Sequence, residues 1–126
     1  MEEWQKDFEW LKVRHLVKDS MGREQLPDLN SILYLIGIQE LGRWPDQFQK
    51  EEKQDLMHIA VCQLLSQDGI YRFLGRDADG WPHYELVKPL EIKGVKEQEE
   101  LLKKKVIQYF EKIAANKAEN TNFEEE

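Results

Sequence analysis

Residues 50–87 read KEEKQDLMHIAVCQLLSQDGIYRFLGRDADGWPHYELV, and a change of period inside them decides the fold. The first part opens on Lys50, Glu51, Glu52 and Lys53. It then passes through Leu56, Met57, Ile59, Ala60, Val61, Leu64 and Leu65, as a helix does when it starts in water and enters a core. Gly69 breaks it. Two runs with strand chemistry follow, Ile70-Tyr71-Arg72-Phe73-Leu74 and Trp81-Pro82-His83-Tyr84-Glu85-Leu86-Val87, on either side of the turn Asp77-Ala78-Asp79-Gly80. A helix feeding a hairpin is a scaffold, and it holds no catalytic signature.

Upstream, Leu29, Ile32, Leu33, Tyr34, Leu35, Ile36, Ile38 and Leu41 leave a second helix almost no polar face, which makes it the central buried element. Asp28 is placed to cap its start and Gly42 its end. Gly37 inside it costs roughly 1 kcal/mol relative to alanine, so a neighbouring element is expected to approach closely there. Glu40 sits near the helix end, where pairing with Arg43 or hydration is expected. Trp44 and Phe48, in the loop beyond Arg43, are expected to cover the end of the core.

Residues 2–18 read as a first helix with two apolar arcs. Trp4, Phe8, Leu11 and His15 share one, while Trp10, Val13 and Val17 lie nearly opposite. A helix packed on one side needs a single stripe, so two stripes point to a second contact, inside the domain or against another chain. Downstream, Leu102, Val106, Tyr109 and Ile113 form the stripe of a last helix over about 95–116, with Phe110 beside it. Lys103, Lys104 and Lys105 surround that stripe. Residues 118–126 are polar and acidic, with the composition of a disordered tail.

With 126 residues, the chain is about one domain long. Charged residues make up 34% against 40% hydrophobic, a folded composition with a wet surface. The longest apolar run, residues 32–38, is far short of the ~20 residues that cross a bilayer. Met1-Glu2-Glu3-Trp4 lacks the basic-then-apolar order of a signal peptide. The single cysteine, Cys62, forms no internal disulfide. A cytoplasmic location and no membrane contact are the expectation. The net charge of −7 argues against a general nucleic-acid binder, because such binding rests on cations that neutralise phosphates.

Three helices, a two-stranded hairpin and a further helix give an α+β class, mainly α. The passage Leu64-Leu65-Ser66-Gln67-Asp68-Gly69-Ile70-Tyr71 resembles the point where a winged-helix domain leaves its recognition helix for its wing. That resemblance covers about residues 28–90 and implies one winged-helix-like domain over 1–117, with flanking helices before an acidic tail. Stretches 29–42, 50–65 and 80–85 also resemble those of small uncharacterised proteins of the Bacteroidetes type, which implies no activity.

A winged helix invites a DNA-binding reading, and the residues resist it. The exposed arc of the third helix offers Glu51, Asp55, His58 and Ser66, with Gln54 as its one conventional reader of base edges, and carboxylates repel phosphate. Arg72 and Arg76 on the hairpin are too few to reverse that. His58 and Cys62, four apart with Asp55 one turn earlier, have zinc-ligand spacing, but a structural site wants four ligands and His83 would have to fold back to join them. As a Cys–His nucleophile pair they lack an oxyanion site. Residues 77–80 resemble a calcium loop only until Trp81-Pro82 ends the run of oxygen ligands.

No catalytic, cofactor or metal residues are therefore assigned, and no cofactor is expected. What remains is surface. Trp10, Val13 and Val17 on the first helix, and Trp81, Pro82, His83 and Tyr84 beside the turn, are the candidate protein contacts, since aromatic groups anchor interfaces. The expected function is a non-enzymatic protein–protein interaction module, homodimeric through its first and last helices. The alternative is a winged-helix DNA-binding transcriptional regulator, using the hairpin and the basic region 91–117.

Overall fold

The computed structural model describes residues 3–42, 49–90 and 94–124. The elements are α1 (Glu3–Met21), α2 (Leu29–Leu41), α3 (Lys50–Ser66), β1 (Tyr71–Arg76), β2 (Pro82–Leu86) and α4 (Val95–Glu124). Four helices with one antiparallel hairpin between α3 and α4 make the fold mainly helical α+β, in the order the winged-helix-like layout requires. The expectations for Arg43, Trp44 and Phe48 lie outside the described residues.

Both ends of α2 are closed by the residues expected to close them. Asp28 Oδ1 accepts from Ser31 N at 2.8 Å, and hydrogen bonding from Ser31 holds its carboxyl below the usual carboxylate range. Gly42 takes the left-handed conformation, φ 86°, and its N–H returns to Ile38 O at 2.9 Å. At the start of α3, Glu52 Oε1 accepts from Gln49 N at 3.2 Å, and Glu51 and Glu52 complement the positive end of the helix dipole.

The α2–α3 crossing is the centre of the molecule. Ile32 and Ile36 of α2, Leu56 and Leu64 of α3, and Val106 of α4 are fully buried there. Gly37 faces Leu56 so closely that a Cβ on it would lie 2.1 Å from the Leu56 carbonyl oxygen. α1 adds Val13 and Val17 to this core, and Arg14 Nε ties it to the Pro27 carbonyl at 2.9 Å. α4 adds Tyr109, and its buried Lys105 Nζ meets Asp68 Oδ1 at 2.7 Å, just past the end of α3. A second apolar cluster, Ile38, Leu41, Leu56 and Ile59, is roofed by Tyr34, Trp81 and Tyr84.

In the hairpin, Tyr71 pairs with Leu86, Arg72 with Glu85 and Phe73 with Tyr84, and the register then shifts between Phe73 and Gly75. Leu74 is the extra residue of that bulge, and Gly75 takes φ 120° to accommodate it. Pro82, the first residue of β2, lacks the N–H that an interior ladder position would need. Two boundaries differ from the sequence reading. α1 runs on to Met21, and α4 continues to Glu124 across most of the acidic stretch 118–126, which the composition marks as a disordered tail. Lys, Ala, Glu and Asn at 115–120 do not oppose a helix already under way, since elongating one is far cheaper than nucleating it.

Gly37→Ala should destabilise the protein by about 3 kcal/mol, because the added methyl meets backbone rather than a movable side chain. Urea denaturation measures it, and a loss below that of an ordinary surface helix substitution would show that α2 and α3 are not so tightly apposed.

Candidate functional site

The structure separates the two arcs of α1. Val13 and Val17 are 7% and 3% exposed and belong to the central core, and Trp10 packs on it, partly covered, with Lys103 Nζ 5.7 Å from its ring centre. These three residues are a packing face, and their proposed role as a contact surface is corrected accordingly. The outward arc is the other one. Trp4, Phe8 and Leu11 are 65%, 58% and 42% exposed, His15 is exposed beside them, and Leu16 is exposed on the flank. A tryptophan, a phenylalanine and a leucine in line at 4-3 spacing form an apolar stripe on a strongly charged chain, whereas a scattered surface hydrophobe would need no explanation.

The aromatic group at the turn divides in the same way. Pro82 is buried, and Trp81 and Tyr84 pack onto Ile38, Leu41, Leu56 and Ile59, with Tyr84 also 5.5 Å, ring to ring, from Phe73. They hold the hairpin on the helices. Of the four, His83 alone is exposed, and its Nε2 lies 2.9 Å from Asp77 Oδ2. Asp77 also accepts from the N–H groups of Asp79 and Trp81, which fixes the turn, and these bonds, His83's first among them, hold its carboxyl low. The large apolar groups that the hairpin does expose are Phe73, Leu74, Leu86 and Val87. Adjacent residues of a strand cannot both point inward, so the pairs 73/74 and 86/87 carried that signal in the sequence.

The hairpin folds over α3 and encloses a cleft of about 370 Å³ that brings Asp55, His58 and Cys62 of α3 to Asp77, Trp81, His83 and Tyr84. His83 does therefore reach the neighbourhood of His58 and Cys62. His58 Nε2 is 3.4 Å from Cys62 Sγ, and Tyr71 stands edge-on to the imidazole. Cys62, one turn beyond His58 on α3, is buried where the hairpin covers that end of the helix. Burial pushes its thiol up to about 11, so the nucleophilic thiolate is scarce at neutral pH. Among the described residues no group of three or more His, Cys, Asp or Glu is arranged to hold a metal ion.

The hairpin arginines are committed within the domain. Arg72 pairs with Glu85 across the strands. Arg76 Nη2 donates to the Glu40 carbonyl at 2.6 Å, and Nη1 to those of Leu41 at 3.2 Å and Gly80 at 2.8 Å. A cation thus closes the negative end of α2 and fastens the turn to it. Glu40 itself accepts from Tyr109 Oη at 3.3 Å, beside Gln39 at 3.2 Å, and burial with the Glu40 charge pushes that phenol well above its ordinary value. The exposed arc of α3 presents Glu51, Gln54, Asp55 and His58 to solvent.

Arg76→Met, which keeps the stem and removes the donors, should cost about 2 kcal/mol in urea denaturation, and a loss under 0.5 kcal/mol, roughly the effect of an ordinary surface change, would deny the latch. Because Cys62 is harder to ionise folded than unfolded, the stability its neutral thiol supports is intact below 9.0, the ordinary thiol value, and is lost as pH rises toward about 11. Tyr71, Tyr84 and Tyr109 are raised as well and act with the same sign at higher pH. Cys62→Ala should therefore flatten, without abolishing, the alkaline decline of unfolding free energy, and an unchanged slope would contradict the burial. No family model matches the chain, and no curated protein or solved structure matches it at a significant level.

Proposed function

We propose that the chain is a non-enzymatic protein–protein interaction module that works as a homodimer through the outward arc of α1. The observation that carries this reading is the stripe Trp4, Phe8, Leu11, which sets large apolar groups in water along one line of a helix whose other side is the core. Exposed apolar surface in contiguous form is costly to hydrate, and the hydrophobic effect favours covering it. The hairpin cleft supports an enzyme less well, since its one thiol is protonated and its histidines are engaged with Cys62 and Asp77. The DNA-reading alternative loses support from the commitment of Arg72 and Arg76 and from the carboxylates on the outer arc of α3.

Multi-angle light scattering tests the reading. The chain should show a mass approaching twice its own at tens of micromolar. Phe8→Glu, at a position already half in water, should return it to a monomer with unchanged helical circular dichroism. A monomeric mass for the unaltered chain would reject the homodimer. A salt-dependent gel shift with duplex DNA would turn the reading toward a transcriptional regulator.

A further inference from the structure

The cleft between the hairpin and α3 carries charge of one sign. Asp55 of α3 and Asp77 of the turn both line it, and no lysine or arginine does. Arg76, next to Asp77 in the chain, directs its guanidinium to the carbonyls of Glu40, Leu41 and Gly80. Asp55 is exposed and has no hydrogen-bond or ion-pair partner among the described residues. Asp77 stays ionised, since the bonds it accepts from His83, Trp81 and Asp79 hold its carboxyl low. When His83 donates to it from Nε2, the Nδ1 of that ring is left as a further acceptor.

Aromatic groups supply the rest of the wall. Trp81 and Tyr84 rest on the second apolar cluster and also line the cleft, half-buried. The face of an aromatic ring attracts a cation, that of tryptophan most strongly. Carboxylates, a ring acceptor and aromatic surface together match a planar guanidinium. That group carries five N–H donors, pairs bidentately with carboxylate and stacks on aromatic rings. A metal ion fits less well, because no three ligating groups converge among the described residues. The volume of about 370 Å³ is at the small end of the range for ligand sites and suits a group the size of an arginine side chain. We infer that the cleft is a binding site for a guanidinium group, with Asp55 as its ionic partner and Trp81 and Tyr84 as its aromatic wall. No residue of α1 lines the cleft, so its occupancy and self-association through α1 are separable.

Titration of the isotope-labelled full chain, followed by NMR, tests the site with two probes. Agmatine stands for a free small molecule, and a capped Gly-Arg-Gly peptide for the side chain of a protein partner. At least one should shift the Trp81 indole and the amides of Asp77, His83 and Tyr84 to saturation, and the tighter of the two names the source. Each probe has a urea counterpart that keeps its shape and loses the guanidinium charge: N-carbamoylputrescine for agmatine, citrulline for arginine in the peptide. These should bind at least ~10-fold more weakly.

Two variants separate the site from the general acidity of the chain. Asp55→Asn should weaken the bound probe ~10-fold and leave the fold intact, as that carboxylate ties no other described residue. Glu51→Gln removes an equal charge from an exposed position on the same helix, outside the cleft, and should leave the affinity unchanged. No saturable shift with either probe overturns the inference. Equal losses from the two variants overturn it as well, since they would mean diffuse attraction to an acidic protein. So does a urea counterpart that binds as tightly as its parent, which would mean that the charge is not recognised.

Discussion

The rest of the structure depends on how near α3 comes to α2. Leu56 offers its backbone carbonyl to the place where any residue but glycine at position 37 would carry a side chain. That nearness buries Ile32, Ile36 and Leu64 in one cluster and Leu56 with Ile38, Leu41 and Ile59 in the other, and dense packing is where much of a small domain's stability comes from. It also sets the position of everything after Ser66. The hairpin leaves from the end of α3 and returns onto Ile38, Leu41, Leu56 and Ile59, a surface built by both helices. A looser crossing would leave Trp81 and Tyr84 with no continuous floor.

The end of α2 is the second fixed point. Arg76 arrives from the hairpin and Tyr109 from α4, so two elements distant in sequence are tied to one helix terminus. Lys105 and Asp68 add a third tie, between α4 and the exit of α3. In each tie, groups that could have served a ligand are absorbed in holding the fold. A cation that satisfies backbone carbonyls has fewer donors left for a phosphate, and the hairpin is fastened to α2 by that engagement.

Much of the fold was legible in the chain. Asp28, Gly37 and Gly42 announced the limits and the tight spot of α2 because each answers a local backbone demand, and local demands leave local signatures. The hairpin was legible from its turn and its strand composition. The facing of α1 was not. Its two arcs are alike in apolar content, and the outward one is the richer in aromatics, so periodicity alone could not choose. Only the positions of α2 and α4 show that Val13 and Val17 are buried while Trp4 and Phe8 stand exposed among the described residues. Burial of Cys62 was hidden for the same reason, since the residues that cover it come from the hairpin. The Arg76 latch crosses thirty-five residues of sequence and acts on main-chain atoms, which carry no compositional trace.

A sheet of two strands has no interior, so both of its rims are open to a passing chain. Here the rims are spoiled as templates for ladder growth. The extra residue at Leu74 breaks the spacing of one, Pro82 removes a donor from the other, and Arg72, Glu85 and Lys88 add charge close to both. With Phe73, Leu86 and Val87 in water nearby, an unspoiled rim would invite runaway fibrous stacking. Blunted in this way, both rims disfavour the addition of a third strand.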